Sequence, residues 1–252
     1  MSAPELSLVF PVFDEQDNIS PLLESAVALG RRLGRRFEIV VVDDGSRDDS
    51  AERIAAARAL HPEIRAVHHP ANRGYGAALR SGLHEARGAL VFFSDADLQF
   101  DLDEVERLLA HAGAFDIVAG YRAPRRDSFG RHVLAWGWGR LVNALFGLGV
   151  RDIDCAFKLF RREVLDAIPI ASIGAFVNTE ILVRARAAGF RIRQLPVTHR
   201  PRRAGRPTGA SPRVIARALL ELVTLYRELR AVGGEARGDA HSLVEWTGRE
   251  GG

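Results

Sequence analysis

The chain has one cysteine, Cys155, and one lysine, Lys158, in 252 residues. A lone cysteine excludes a disulfide framework and a cysteine zinc site, and it fits a reducing compartment. With lysine nearly absent, positive charge rests on arginine, whose planar fork suits bidentate contact with phosphates. No apolar run approaches the roughly 20 residues that span a bilayer, and the start, "MSAPELSLVFPVF", has no basic segment followed by a long apolar one. The expected location is cytoplasmic. No G-x-G-x-x-G follows the first apolar run and no G-x-x-x-x-G-K-[ST] occurs anywhere, which argues against a dinucleotide oxidoreductase and a P-loop ATPase.

What is present is a hydrophobic content of 47%, enough for the core of one large α/β domain. Short β-rich runs ("LSLVFPVF", "FEIVVVDD", "IRAVHH", "ALVFFSD", "DIVAGYR") alternate with helical patterns at 18–34, 48–60, 75–86 and 103–111. Such alternation predicts right-handed βαβ units and a mostly parallel sheet flanked by helices. Ligands of such sheets bind beyond the carboxyl ends of the strands. That rim is expected to carry Asp14, Glu15, Asp43, Asp44, Asp95, Asp97 and Arg122. An amphipathic helix is predicted near 211–231, giving a domain over 1–232 and a disordered Gly-rich tail at 233–252.

The segment "FFSDADLQFD" runs a buried strand into carboxylates. If the chain stays extended, Asp95, Asp97 and Gln99 share one side and offer hard oxygen ligands to Mg²⁺ or Mn²⁺. Helix capping by Asp97 or Asp101 is the plainer alternative. In "VVVDDGS", Asp43 is suited to accept from a base NH or a ribose hydroxyl, while Asp44, Ser46 or Asp48 suit a turn or cap. In "NRGYGAAL", Gly74 and Gly76 bring backbone NH groups to a helix start, where a phosphate or simply a tight turn would explain them. Arginines cluster at 122, 125, 126 and 131, and again at 200, 202, 203 and 206. Two such clusters beside an acidic rim suggest two phosphate-bearing ligands. The stretch 129–148 mixes Trp136 and Trp138 with Arg131, His132 and Arg140; core packing is the default, and an interfacial helix the sharper reading.

Taken in order, "FPVFDEQDNI", "VVVDDGSRDDS", "NRGYGAALRSGL", "FFSDADLQFD", "AGYR", "DIDCAFKLFRR", "VNTEIL" and "HRPRRAG" resemble the family 2 glycosyltransferases of GT-A fold, specifically those acting on dolichol phosphate and polyprenyl phosphate. The resemblance spans about residues 5–230. It implies that Pro11, Phe13, Glu15 and Asp43 line the nucleotide pocket, and that Asp95, Asp97 and Gln99 manage a metal, Mg²⁺ or Mn²⁺, and the donor diphosphate. It implies further that Arg122 and Arg131 hold an acceptor phosphate, that Arg202 closes over the donor, and that Gly74, Asp154, Lys158, Glu180 and His199 complete the substrate site. The sequence departs from the pattern at Asp14, at Phe100 and Asp101, and in the "RPTG" after Gly205.

The implied reaction is inverting transfer of mannose or glucose from GDP-mannose or UDP-glucose to a polyprenyl phosphate, by a protein peripheral to the inner face of the cytoplasmic membrane. A hydroxyl acceptor would instead need a carboxylate base, for which Asp152, Asp154 and Glu180 are the candidates. A nucleotidyltransferase would normally carry a Gly- and Arg/Lys-rich loop where this chain reads "PVFDEQ". A non-catalytic binder of nucleic acid or anionic membrane fits a pI near 9.6 but leaves the acidic rim without a task. Nucleic acid is not an expected partner.

Overall fold

A computed structural model of the chain describes residues 3–124, 129–202 and 212–241, with the side chains of 129–132, 212–213 and 232–241 outside that description. Among the described residues seven strands form one sheet: β1 (Leu6–Val12), β2 (Phe37–Asp43), β3 (Ile64–His68), β4 (Leu90–Ser94), β5 (Ile117–Arg122), β6 (Phe157–Arg161) and β7 (Ile192–Val197). Their order is β3-β2-β1-β4-β6-β5-β7. Only β6 runs against its neighbours, antiparallel to both β4 and β5. β1 is buried along its whole length, as a strand covered by helices on both faces must be, which is why it reads as one apolar run and not as an alternation.

The helices are α1 (Gln16–Arg32), α2 (Ser50–Leu60), α3 (Tyr75–Glu85), the short α4 (Val105–Leu109), α5 (Phe129–Phe146), α6 (Arg162–Ala167), α7 (Val177–Ala187) and α8 (Pro212–His241). α1 buries Ile19, Leu22, Leu23, Ala26 and Val27, the spacing that keeps one helical stripe against a sheet. α3 starts under a constraint: a Cβ on Gly76 would lie 2.6 Å from the carbonyl oxygens of both Ser172 and Gly174. Only glycine lets this helix end approach the 172–174 segment, and Gly76 N donates to Ile173 O at 3.0 Å.

β6 and β7 were not anticipated. "FKLFR" is short and interrupted by a charge, and "IRQLPV" carries a proline, so neither has a clean strand period. α8 continues to His241, past the expected end near 231; residues 242–252 lie outside the described part. From β1 the chain steps one way to β2 and β3, then crosses to β4 on the other side of β1. The crevice beyond the carboxyl ends of β1 and β4 is therefore the switch point of this sheet, the position where open α/β sheets bind ligands.

Candidate active site

Hydrogen bonds zip the first turn of the rim to the second. Asp14, at φ 53, accepts from Arg47 N at 2.8 Å. Its own NH donates to Ser46 Oγ at 3.1 Å, Glu15 N donates to Ser50 Oγ at 3.0 Å, and Gln16 N donates to Asp48 Oδ2 at 3.0 Å. Asp43 is buried, with Oδ1 accepting from Ser46 N at 3.0 Å and Oδ2 lying 3.2 Å from His68 Nδ1. Pro11 is buried in β1, whereas Phe13 is half-buried at the strand's exit.

Beside this frame two carboxylates, Glu15 and Asp97, meet one guanidinium. Asn18 Nδ2 donates to Glu15 Oε2 at 2.6 Å. Arg202 pairs with Glu15 Oε1 and lies 3.5 Å from Asp97 Oδ2. Burial raises the carboxyls of Glu15 and Asp97 above the ordinary carboxylate range. At Asp95, burial of the carboxyl, with the charge of Asp97 beside it, raises the pKa from 3.8 to about 7. The Tyr75 hydroxyl stands close enough to influence that carboxyl, yet neither it nor Asp95 Oδ1 has a hydrogen bond of regular geometry.

The expected extended path through Asp95, Asp97 and Gln99 is not what forms. The strand ends at Ser94, and Leu98 adopts φ 58, so the chain bends and Gln99 turns away. Gln99 Nε2 donates to Arg200 O at 3.0 Å, and Phe100 bridges antiparallel to His199. This stitching brings the 199–202 segment, and with it Arg202, over the carboxylates. His199 is itself buried, its ring 5.5 Å from that of Phe100. Asp101 does act as a cap, accepting from Asp103 N at 3.1 Å.

Among the described residues no three His, Cys, Asp or Glu side chains converge to hold a metal unaided. Asp95 and Asp97 nevertheless suit a hard divalent cation. A buried carboxylate oxygen lacks a partner, a guanidinium already leans on Asp97, and one or two carboxylates plus a substrate diphosphate is how Mg²⁺ is commonly held.

The Asp95 environment sets a pH dependence. Across the window from 3.8 to about 7 the folded carboxyl keeps a proton that the unfolded one has lost. The folded state binds more protons there, so this group's contribution to stability falls as pH rises through that window. In EDTA, Asp95→Asn is therefore expected to gain melting temperature relative to wild type at pH 8 compared with pH 5. Equal differences at the two pH values in a fluorimetric melt would refute it.

A second cluster lies at the end of β5. Asp152 grips Arg122 through Nε and Nη2, both at 2.7 Å, with its backbone NH at 3.2 Å, and both side chains are largely buried. Lys158, expected to touch substrate, is buried beneath the rim, and its Nζ donates to Ile153 O, Cys155 O and Asn178 Oδ1 at 3.1, 2.5 and 2.7 Å. Asp154 is half-buried in the same turn.

Two further expected residues stand apart. Glu180 accepts from Ser172 N at 2.8 Å, from Ala171 N at 3.1 Å and from Arg184 Nε at 2.9 Å, and it lines a cavity of about 210 Å³ between α7 and α8. Gly74 offers no NH to a phosphate, because Asp44 Oδ2 takes it at 2.8 Å, while Asp44 Oδ1 takes Arg73 N and faces His69 Nδ1 at 2.6 Å. Asp44 is thus the fastener of the 72–74 turn, a role that sequence reading left between turn and cap. Arg131 falls on the first turn of α5, and its side chain, with Arg125, Arg126, Arg203 and Arg206, lies outside the described part.

A mostly parallel seven-stranded sheet with one reversed strand and an acidic switch point defines a GT-A fold. Solved structures with this architecture include a mycobacterial protein, 29% identical with a TM-score of 0.67 over 86% of this chain and 74% of that one. Another is glucosyl-3-phosphoglycerate synthase from Mycobacterium tuberculosis in complex with Mn²⁺, uridine diphosphate and phosphoglyceric acid. It is 25% identical, with a TM-score of 0.61 over 90% of this chain and 76% of that one. The chain belongs to glycosyl transferase family 2, whose model matches residues 7–168. Curated relatives include undecaprenyl-phosphate 4-deoxy-4-formamido-L-arabinose transferases. That of Klebsiella pneumoniae subsp. pneumoniae is 34% identical over 80% of this chain and 61% of its own length. That of Pseudomonas paraeruginosa is 41% identical over 65% and 49%. The chain spans about half to three fifths of the length of the curated relatives it matches.

Proposed function

We propose that this chain transfers a sugar, with inversion, from a nucleoside diphosphate sugar to a polyprenyl phosphate, aided by Mg²⁺ or Mn²⁺. The observation that carries the reading is the convergence of Glu15, Asp97 and Arg202, beside Asp95, at the switch point of a GT-A sheet. Asp95 and Asp97 would hold the cation, and a bound divalent ion would neutralise charge growing on the leaving diphosphate. Arg202, on a segment that meets the site from above, supplies a second positive charge to the same oxygens. Asp43, at the end of β2, would contact the nucleoside.

The acceptor reading has its own support. A phosphate monoester with a second pKa near 6 is largely dianionic at neutral pH and attacks without a base. Two of the three carboxylates considered as bases have other work: Asp152 grips Arg122, and Glu180 is engaged by Ala171, Ser172 and Arg184. The relatives' names also point to undecaprenyl phosphate as acceptor.

Among the described residues no helix is long and apolar enough to cross a membrane. The described part does offer a surface suited to a lipid acceptor. On α5, Leu134 and Trp136 are exposed, and Arg140 sits over the Trp136 ring at 5.0 Å, an apolar patch joined to a cation suited to anionic headgroups. Trp138 is excluded from that patch, because its Nε1 donates to Thr179 Oγ1 at 3.1 Å and its ring packs on Phe176. Replacing Leu134 and Trp136 by Ala is expected to release the protein from anionic liposomes in a sedimentation assay. The same change at Trp138 would instead lower stability, and unchanged sedimentation of the Leu134/Trp136 variant would remove the membrane reading.

The deciding experiment is transfer of radiolabel to a short polyprenyl phosphate from GDP-mannose, UDP-glucose and a nucleoside diphosphate ester of 4-deoxy-4-formamido-L-arabinose, each with Mn²⁺, Mg²⁺ or EDTA. Metal-dependent glycolipid from one donor names the sugar. Transfer only to a hydroxyl-bearing acceptor such as phosphoglyceric acid would overturn the phosphate acceptor.

A further inference from the structure

The only lysine of the chain lies where solvent does not reach it. Lys158 is 1% exposed. It is the second residue of β6, in register with Phe93 on β4 and Ala119 on β5, the two strands that lead to Asp95 and to Arg122. Its ammonium group rests 5.3 Å from the centre of the Phe93 ring. A lysine has three donors, and here they meet Ile153 O, Cys155 O and Asn178 Oδ1. Taking an ammonium out of water is costly, and burial lowers the pKa of this one. A methionine or leucine would fill the same space without that cost, so the charge calls for a reason beyond packing.

Each acceptor belongs to a part of the site that must be held. Ile153 and Cys155 flank Asp154 in the turn that follows Asp152, and Asp152 is the group that clamps Arg122. Asn178 belongs to the first turn of α7, behind Tyr75 and Asp95. One cation thus ties the turn carrying Asp152 and Asp154 to the helix behind the acidic strand end.

We propose that Lys158 is a positioning residue for the acceptor half of the site: it makes no substrate contact and fixes the 152–155 turn, and through Asp152 the Arg122 guanidinium, relative to Asp95 and Asp97. The kinetic side of this inference rests on the transferase reading above; the chemical side does not.

The test compares wild type, Lys158→Met and the milder Asn178→Ala, which removes one acceptor and leaves two backbone carbonyls. Calorimetry with uridine diphosphate and Mn²⁺ reads the donor half, and initial rates against polyprenyl phosphate read the acceptor half. Loss of one charge-assisted tie is worth about a tenfold change. The KM for acceptor is therefore expected to rise by about that factor in Asn178→Ala and by more in Lys158→Met, while nucleotide affinity stays within about twofold. Equal loss of nucleotide affinity, or an unmoved acceptor KM, would overturn the proposal.

Because Lys158 carries the single ε-amine, acetic anhydride labelling followed by peptide mass spectrometry reports on it alone. Native wild type is expected to resist labelling, uridine diphosphate and Mn²⁺ are expected to add no protection, and Asn178→Ala is expected to label about tenfold faster through local opening. Ready labelling of the native protein, or protection by the nucleotide, would mean that Lys158 meets substrate and would overturn the inference. Should wild type make no glycolipid, the transferase reading fails while the labelling result still decides the position of Lys158.

Discussion

Asp97→Ala is expected to reduce sugar transfer by about three orders of magnitude, the scale on which removing one preorganised electrostatic group from an active site acts, while leaving the fold intact. The two halves of that expectation have different physical origins. Turnover falls because Asp97 is a buried carboxylate at the switch point, opposed by Arg202 and adjacent to Glu15 and Asp95, where charge on a departing diphosphate has to be met. Stability is spared because, among the described residues, the contacts of the Asp97 side chain are the NH of Gln99, at 3.2 Å, and Arg202, which retains Glu15. Burial has already raised the Asp97 carboxyl, so the charge removed is one the fold holds at a cost. The check is kcat at saturating donor together with a Mn²⁺ titration and a thermal melt. A variant that still turns over at a tenth of the wild-type rate, with weakened folding, would show Asp97 to be structural.

Much of the N-terminal half was legible because period and punctuation agree there. β1, β2 and β4 read as unbroken apolar runs that stop at acidic residues, and α1 shows a regular stripe. The sheet's polarity and the acidic rim follow from those two facts. What lay hidden depends on partners distant along the chain. Asp44 takes the NH groups of Arg73 and Gly74, about thirty residues on, so the glycines look open in sequence and are closed in space. Glu180 sits in a helix whose polar residues gave no hint that two backbone NH groups from the preceding segment would claim it. The left-handed Leu98 breaks the alternation that Asp95, Asp97 and Gln99 suggested, and no residue preference announces it. β6 was missed for the reason that makes it interesting: a buried charge at its second position disguises a core strand.

Asp152→Ala is expected to cost both stability and activity, the first by about 3–5 kcal/mol, the usual scale for stranding one member of a buried ion pair. For a domain of this size that corresponds to a fall in melting temperature of roughly 10 °C. The pair is bidentate and only 11% and 9% exposed on its two sides, so a screened surface bridge is the wrong comparison. With the clamp gone, the Arg122 guanidinium at the end of β5 loses its bidentate partner, and transfer should fall with it. A general-base role for Asp152 makes a different prediction, because a base can be lost without stranding a charge. The double variant Asp152→Ala/Arg122→Met separates the two. If Asp152 is a clamp, the second substitution restores most of the melting temperature lost in Asp152→Ala while transfer stays low, since the guanidinium is still missing. Thermal melts of the four proteins in the cycle read the coupling directly. If instead Asp152→Asn keeps its melting temperature and loses turnover with a shifted pH–rate profile, the carboxylate is taking a proton. The acceptor would then be a hydroxyl, and the phosphate reading of the site would have to be given up.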